Sequence, residues 1–162
     1  VSLIQALDAL ACALLVTAGV SKLRRPGPTA LVLGGTKTAR WLGALEIAVG
    51  AAGFVTTLAA PAVALLYAGF AVFIVRTDAA NCGCFGADEA PPGPLHVAVN
   101  VLLALSAATT AATTPTPPLA HVDPIYAVAL ATATYLTVAL LTTLPAVFAA
   151  IAALPPRPGA QP

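Results

Sequence analysis

"VSLIQALDALACALLVTAGV", Val1–Val20, running into "SKLRRPGP", Ser21–Pro28, decides the fold class. The run holds a single charge, Asp8, over a length that reaches across about 30 Å of hydrocarbon. A basic, proline- and glycine-rich stop follows it. The run has no basic n-region and no small-residue cleavage site, so it reads as a retained first span rather than a signal peptide. The rest of the 162 residues agrees: 59% are hydrophobic and only 8% charged, with mean hydropathy +0.94. A soluble domain carries roughly 25% charged residues. This chain therefore cannot cover a water-facing surface, and an all-α, polytopic membrane bundle is expected. The net charge of +1 gives no argument for a nucleic-acid partner; the expected surroundings are membrane lipid.

Further apolar runs extend from about Trp41 to Leu58, Ala62 to Val75, Leu95 to Ala112 and Ile125 to Leu154. The third is short, which predicts tilt or bilayer thinning. The last is long and is expected to be interrupted by Pro145. The expected organisation is a four-helix domain over 1–114 with a cysteine loop at 77–94, an added C-terminal span within 115–154, and a flexible tail at 155–162. Small residues recur in the second run (Gly43, Ala44, Ala48, Ala51, Ala52), which suits close helix approach in lipid.

Orientation follows from the basic residues. Lys22, Arg24, Arg25, Lys37 and Arg40 fall between the first two runs, Arg76 between the third and fourth, and Arg157 in the tail. With five spans all seven lie on one side, which the positive-inside rule makes cytoplasmic. The expected location is a bacterial inner membrane, with the N-terminus outside and the cysteine loop in the cytoplasm.

That loop contains "NCGCFG", Asn81–Gly86. Three cysteines allow at most one intramolecular disulfide, so a disulfide framework is excluded. Cys82 and Cys84 can join only by closing a small, strained ring, and Gly83 permits the backbone this needs. A strained disulfide is easily reduced and suits exchange. Gly83 and Gly86 flank Phe85, and Asn81 precedes the pair. Asp88 and Glu89, if near, disfavour a thiolate. Three readings remain open: thiol–disulfide redox work, capture of a soft ion such as Cu(I) or Hg(II), and incidental thiols. Cys12, within the first run, behaves as a small hydrophobe unless the loop dips inward to make it a third thiol.

Glu46 is an ionisable residue inside a span, where a partner is required; Lys22 is one candidate and a thiol proton another. Asp8 is explained equally by a water-facing helix end and by a proton site. Asn100 must hydrogen-bond within the bundle. His96 begins the fourth run, but no zinc-motif spacing accompanies it, and no resident metal is expected. The residues require no cofactor and leave a quinone open.

"AGVSKLRRP" (Ala18–Pro26) resembles a hallmark of DoxX-like membrane proteins. Together with "LGALEIAVG" (Leu42–Gly50), "CGCFG" (Cys82–Gly86) and Asn100, the chain resembles the MauE family of methylamine-utilisation membrane proteins. The resemblance covers roughly Leu3–Ala112. It implies a DoxX-like four-helix bundle, here with an added span. It further implies a role beside a thioredoxin-like partner in maturing a disulfide-rich periplasmic methylamine dehydrogenase subunit. By motif matching, Cys82 and Cys84 are the redox pair, with Glu46, Lys22 and Asn100 as bundle positions. The aromatic residue and arginine usual before the asparagine are replaced here by Leu95 or His96 and Val99. The competing function is a non-catalytic subunit scaffolding a membrane complex through its small-residue faces.

Overall fold

The computed structural model describes residues 2–76, 93–113, 116–121 and 123–152. Asn81, Cys82, Gly83, Cys84, Phe85 and Gly86 lie outside the described residues.

The described chain forms six α-helices and two 3-10 turns, with no strand among them. Helix α1 (Leu3–Arg24) starts at a capping box: the Gln5 backbone N–H donates to Ser2 Oγ at 3.2 Å, and the Ser2 N–H donates to Gln5 Oε1 at 2.9 Å. A short helix, α2 (Gly27–Leu33), follows where the proline- and glycine-rich stretch predicts only a stop. Pro28 falls in its first turn, where a missing N–H costs nothing, and Gly34 closes it at φ 75°. Helix α3 covers Thr36–Val55, shifted toward the N-terminus from the expected run. It ends at Thr56, which is extended and accepts a hydrogen bond from the Leu58 N–H.

The turn Thr57–Ala59 leads directly into α4 (Ala60–Arg76). Together they make a span of 20 residues, Thr57–Arg76. The expected shortness of this run is therefore corrected, because Pro61 sits in the first turn and does not break the helix. Helix α5 covers Pro94–Thr113. Helix α6 covers Pro124–Ala152, started by Asp123, whose Oδ1 accepts from the Tyr126 N–H at 2.8 Å. It continues through position 145, so the expected interruption is absent; a proline is tolerated in a span where neighbouring groups satisfy the freed carbonyl.

Helices α1 and α5, the Thr57–Arg76 span and the Pro124–Leu144 part of α6 are each long and apolar enough to cross a membrane. Helix α3 carries Lys37, Arg40 and Glu46, yet it runs antiparallel beside α1 at the same depth. Gly43 packs against Gly19, and Gly50 against Cys12. A Cβ at Gly43 would lie 2.8 Å from the Gly19 carbonyl oxygen, and one at Gly50 2.7 Å from that of Cys12. Only glycine permits this approach.

The architecture is two helical hairpins, α1–α3 and α4–α5, joined mainly through α1 and α5, with α6 laid against α1. Their shared core includes Cys12, Leu14, Leu15, Val63, Tyr67 and Leu103. Helix α6 keeps a broad apolar face exposed, with Ile125, Val128, Tyr135 and Leu136 outward, as a lipid-facing helix does. The protein is a multi-pass membrane helical bundle.

Candidate functional site

Among the described residues the bundle buries one ion pair. Lys22 Nζ donates to Glu46 Oε1 at 2.9 Å and to Oε2 at 3.0 Å, with both side chains almost wholly enclosed. Lys22 belongs to α1, not to the loop that follows it, and Glu46 lies one turn beyond Gly43 on α3. The missing side chain at Gly43 makes the room: a Cβ there would stand 3.0 Å from Lys22 Cβ. Bidentate geometry is what lets two charges persist in an apolar slab, since each unpaired charge would lose several kcal/mol of solvation.

Helix α4 supplies the aromatic side of the site. The Phe70 ring centroid lies 5.9 Å from Lys22 Nζ, a cation–π contact. Tyr67 meets Phe70 edge to face at 6.2 Å, and its hydroxyl donates to the Ala11 carbonyl at 2.7 Å. That bond ties α4 to α1 at the height of the core.

Helix α5 supplies a histidine and an amide. His96 is 2% exposed. Its Nδ1 accepts a 3.4 Å hydrogen bond from the Gly93 N–H, which assigns the ring proton to Nε2. Asn100 Nδ2 donates to the His96 carbonyl at 2.7 Å, so the expected intrabundle bond is made locally, one turn back on its own helix.

These groups line one cavity of about 300 Å³. Lys22, Glu46, His96 and Asn100 form its polar part. Leu14, Leu15, Leu66, Phe70, Phe73, Val99 and Leu141 are among its apolar walls, and Thr29, Val32 and Leu33 of α2 close one side. Ile74 and His96, near the end of α4 and the start of α5, also line it. The chain between those two helices carries Cys82 and Cys84.

Lys22, Glu46 and Asn100 are thus gathered at one cavity. Cys12 is not among its walls; it is fully buried ten residues before Lys22, about 15 Å of helix rise away. Asp8 is 3% exposed, which removes the water-facing explanation for it, and its Oδ1 has no hydrogen-bond partner among the described residues. Thr110 Oγ1 is similarly buried and unpartnered. Among the described residues no three His, Cys, Asp or Glu side chains come together as metal ligands. The sequence reading gave too little weight to His96, although an ionisable residue inside a span was signal enough. It missed Tyr67 and Phe70, which with Phe73 are aromatic residues at helical spacing in α4.

Chemically, the site offers a net-neutral ion pair able to share a proton, a buried N–H donor and an apolar enclosure. The model of the family described as "Methylamine utilisation protein MauE" matches residues 1–113, which end at the last residue of α5. No curated protein and no solved structure matches the chain. The match covers more than half of the chain, including α1 to α5 and the Cys-Gly-Cys stretch between α4 and α5, so the chain belongs to the MauE family.

Proposed function

We propose that this MauE-family membrane protein performs thiol–disulfide exchange on Cys82 and Cys84 with a thioredoxin-like partner, in support of the maturation of disulfide-containing exported proteins. The supporting observation is that the family match spans the Cys-Gly-Cys segment together with the helices that enclose Lys22, Glu46, His96 and Asn100. A strained Cys82–Cys84 disulfide is a good oxidant. A thiolate of the partner attacks one of its sulfurs and forms a mixed disulfide. The partner's second thiol then displaces it, leaving Cys82 and Cys84 as thiols and the partner as a disulfide. Two electrons and two protons move in balance. Asn81, Gly83, Phe85 and Gly86 shape the loop, and the Lys22–Glu46 pair and Asn100 hold the bundle end beside it.

The same reading places the protein in a bacterial inner membrane with its N-terminus outside and the cysteine loop on the cytoplasmic side. Residues 1–114 form the exchange domain, and 115–154 add a span. The DoxX-like superfamily is its wider setting, and other membrane-complex subunits are expected neighbours. Cys12 serves in the core, where its side chain is fully buried and is not a cavity wall.

Acid-quenched alkylation of the protein in membranes tests the reading. Cys82 and Cys84 are expected to change redox state together, and Cys82→Ser or Cys84→Ser to abolish the change in the partner. If both thiols remain reduced in every redox background, exchange is not the function.

A further inference from the structure

The cavity beside the Lys22–Glu46 pair has a property that thiol chemistry alone does not use: it reaches the lipid. Helices α3 and α4 touch near the Thr57–Ala59 turn and are separated by the cavity farther along, where Leu42 and Glu46 face it from α3. Leu65, 74% exposed, and Gly69, also exposed, belong to the same wall on α4. The cavity therefore joins the bundle interior to the lipid-facing side of α4. A ligand can enter from the bilayer without crossing water.

Its chemistry limits the ligand. A volume of about 300 Å³ is at the lower end of the roughly 300–1,000 Å³ of small-molecule sites, enough for one ring with its chain left in the opening. Lys22 and Glu46 neutralise each other, so neither a free anion nor a free cation is favoured. His96 contributes the feature that points to a headgroup. It is buried, its Nδ1 is occupied by the Gly93 N–H, and its Nε2–H has no partner among the described residues. His96 lines the cavity, so this N–H is a donor that a ligand carbonyl would satisfy. The aromatic rings of Phe70 and Phe73 line the same space. The matching ligand is neutral, lipid-soluble, ring-shaped and carbonyl-bearing.

We infer that this cavity is a quinone-binding site in which His96 Nε2 donates to a quinone carbonyl and the tail leaves past Gly69 into the bilayer. The role of that quinone rests on the exchange reading above. When the Cys82 and Cys84 thiols close to a disulfide they release two electrons and two protons, and the quinone takes up both as its two carbonyls become hydroxyls. The dithiol is oxidised and the quinone reduced to hydroquinone.

Binding can be tested apart from turnover. The full chain in phosphatidylcholine nanodiscs is titrated with radiolabelled decylubiquinone. Saturable binding at one per chain is expected, unchanged in a Cys82→Ser/Cys84→Ser variant. His96→Leu should weaken it about tenfold, the size of one buried hydrogen bond, and His96→Gln should restore it. Gly69→Leu should abolish it with the fold intact, because a side chain there begins in open space, with nothing within 4 Å of its Cβ. Linear uptake that is equal in wild type and Gly69→Leu would overturn the inference. So would equal displacement by stearate, which marks a mere acyl-chain site, or an unaltered affinity in His96→Leu. Alkylation of the wild type run in parallel separates the two ideas. Cysteines that cycle without quinone binding leave exchange standing and remove this site. Quinone binding with cysteines that stay reduced does the reverse.

Discussion

Lys22 and Glu46 show how a single residue choice carries energetic weight in this protein. Neither charge is tolerable alone in the apolar bundle, and together they form a bidentate pair 2.9 and 3.0 Å across. Removing one partner strands the other. Lys22→Met and Glu46→Leu are each expected to destabilise the bundle by about 3–5 kcal/mol, and the double variant to recover most of that loss. A double-mutant cycle of thermal unfolding in detergent measures the coupling, and additive losses would refute it. Asp8 makes the opposite case. Its Oδ1 is buried without a partner, so Asp8→Leu should raise the unfolding temperature by relieving about 1–3 kcal/mol of unsatisfied burial. A lower midpoint would mean that Asp8 is bound by a group outside the described residues. The importance of Glu46 could be read in the sequence because a carboxylate in a span demands a partner. The burial of Asp8 could not, because a helix end tolerates a charge in water equally well.

At the scale of elements, the contact between α1 and α3 depends on absent side chains. Gly19, Gly43 and Gly50 bring the two backbones together, whereas Ala48 of the same helix is exposed. Gly50→Leu should therefore destabilise by at least the 1–3 kcal/mol typical of overpacking, while Ala48→Leu stays within about 0.5 kcal/mol. Equal effects of the two in an unfolding assay would contradict this packing. The contrast also refines the scaffold reading. Gly43 is committed to contacts within the chain, so enlarging it reports on folding, not on a partner subunit. The five long helices were legible because length and hydropathy alone set a span. Helix α2 was not, since Pro26, Gly27 and Pro28 look like a stop, and only the Gly34 cap with burial of Thr29 makes that segment a wall of about two turns. The continuity of α6 through Pro145 was also hidden, because one proline signals a kink in water and much less in a bundle. At the site, "LGALEIAVG" revealed the acid but not the cavity. His96 of α5 is far in sequence from Tyr67 and Phe70 of α4, and the three share one site only through the pairing of α4 with α5 and α1.

For the whole molecule, the hairpins set which residues share an end. Gln5 Nε2 donates to Thr116 Oγ1 at 3.1 Å, joining the start of α1 to the α5–α6 connection, and the Thr57–Ala59 turn packs against α5 at that end. Arg24, Arg25, Lys37, Arg40 and Arg76 lie toward the opposite end, with α2 and the start of α5. Lys22 drops out of the charge argument because Glu46 neutralises it, but the asymmetry survives its loss. Since cytoplasmic loops collect Lys and Arg, the end bearing α2 is expected in the cytoplasm. Two exposed positions report this directly: Leu31 on α2, 84% exposed, and Leu58 in the Thr57–Ala59 turn, 88% exposed. In a variant lacking the native cysteines, Leu31→Cys should resist a membrane-impermeant maleimide added to intact cells and react after lysis. Leu58→Cys should react from outside. The reversed pattern would place the Cys82–Cys84 segment outside, in direct reach of exported clients. Exchange would then act on those clients without a cytoplasmic partner.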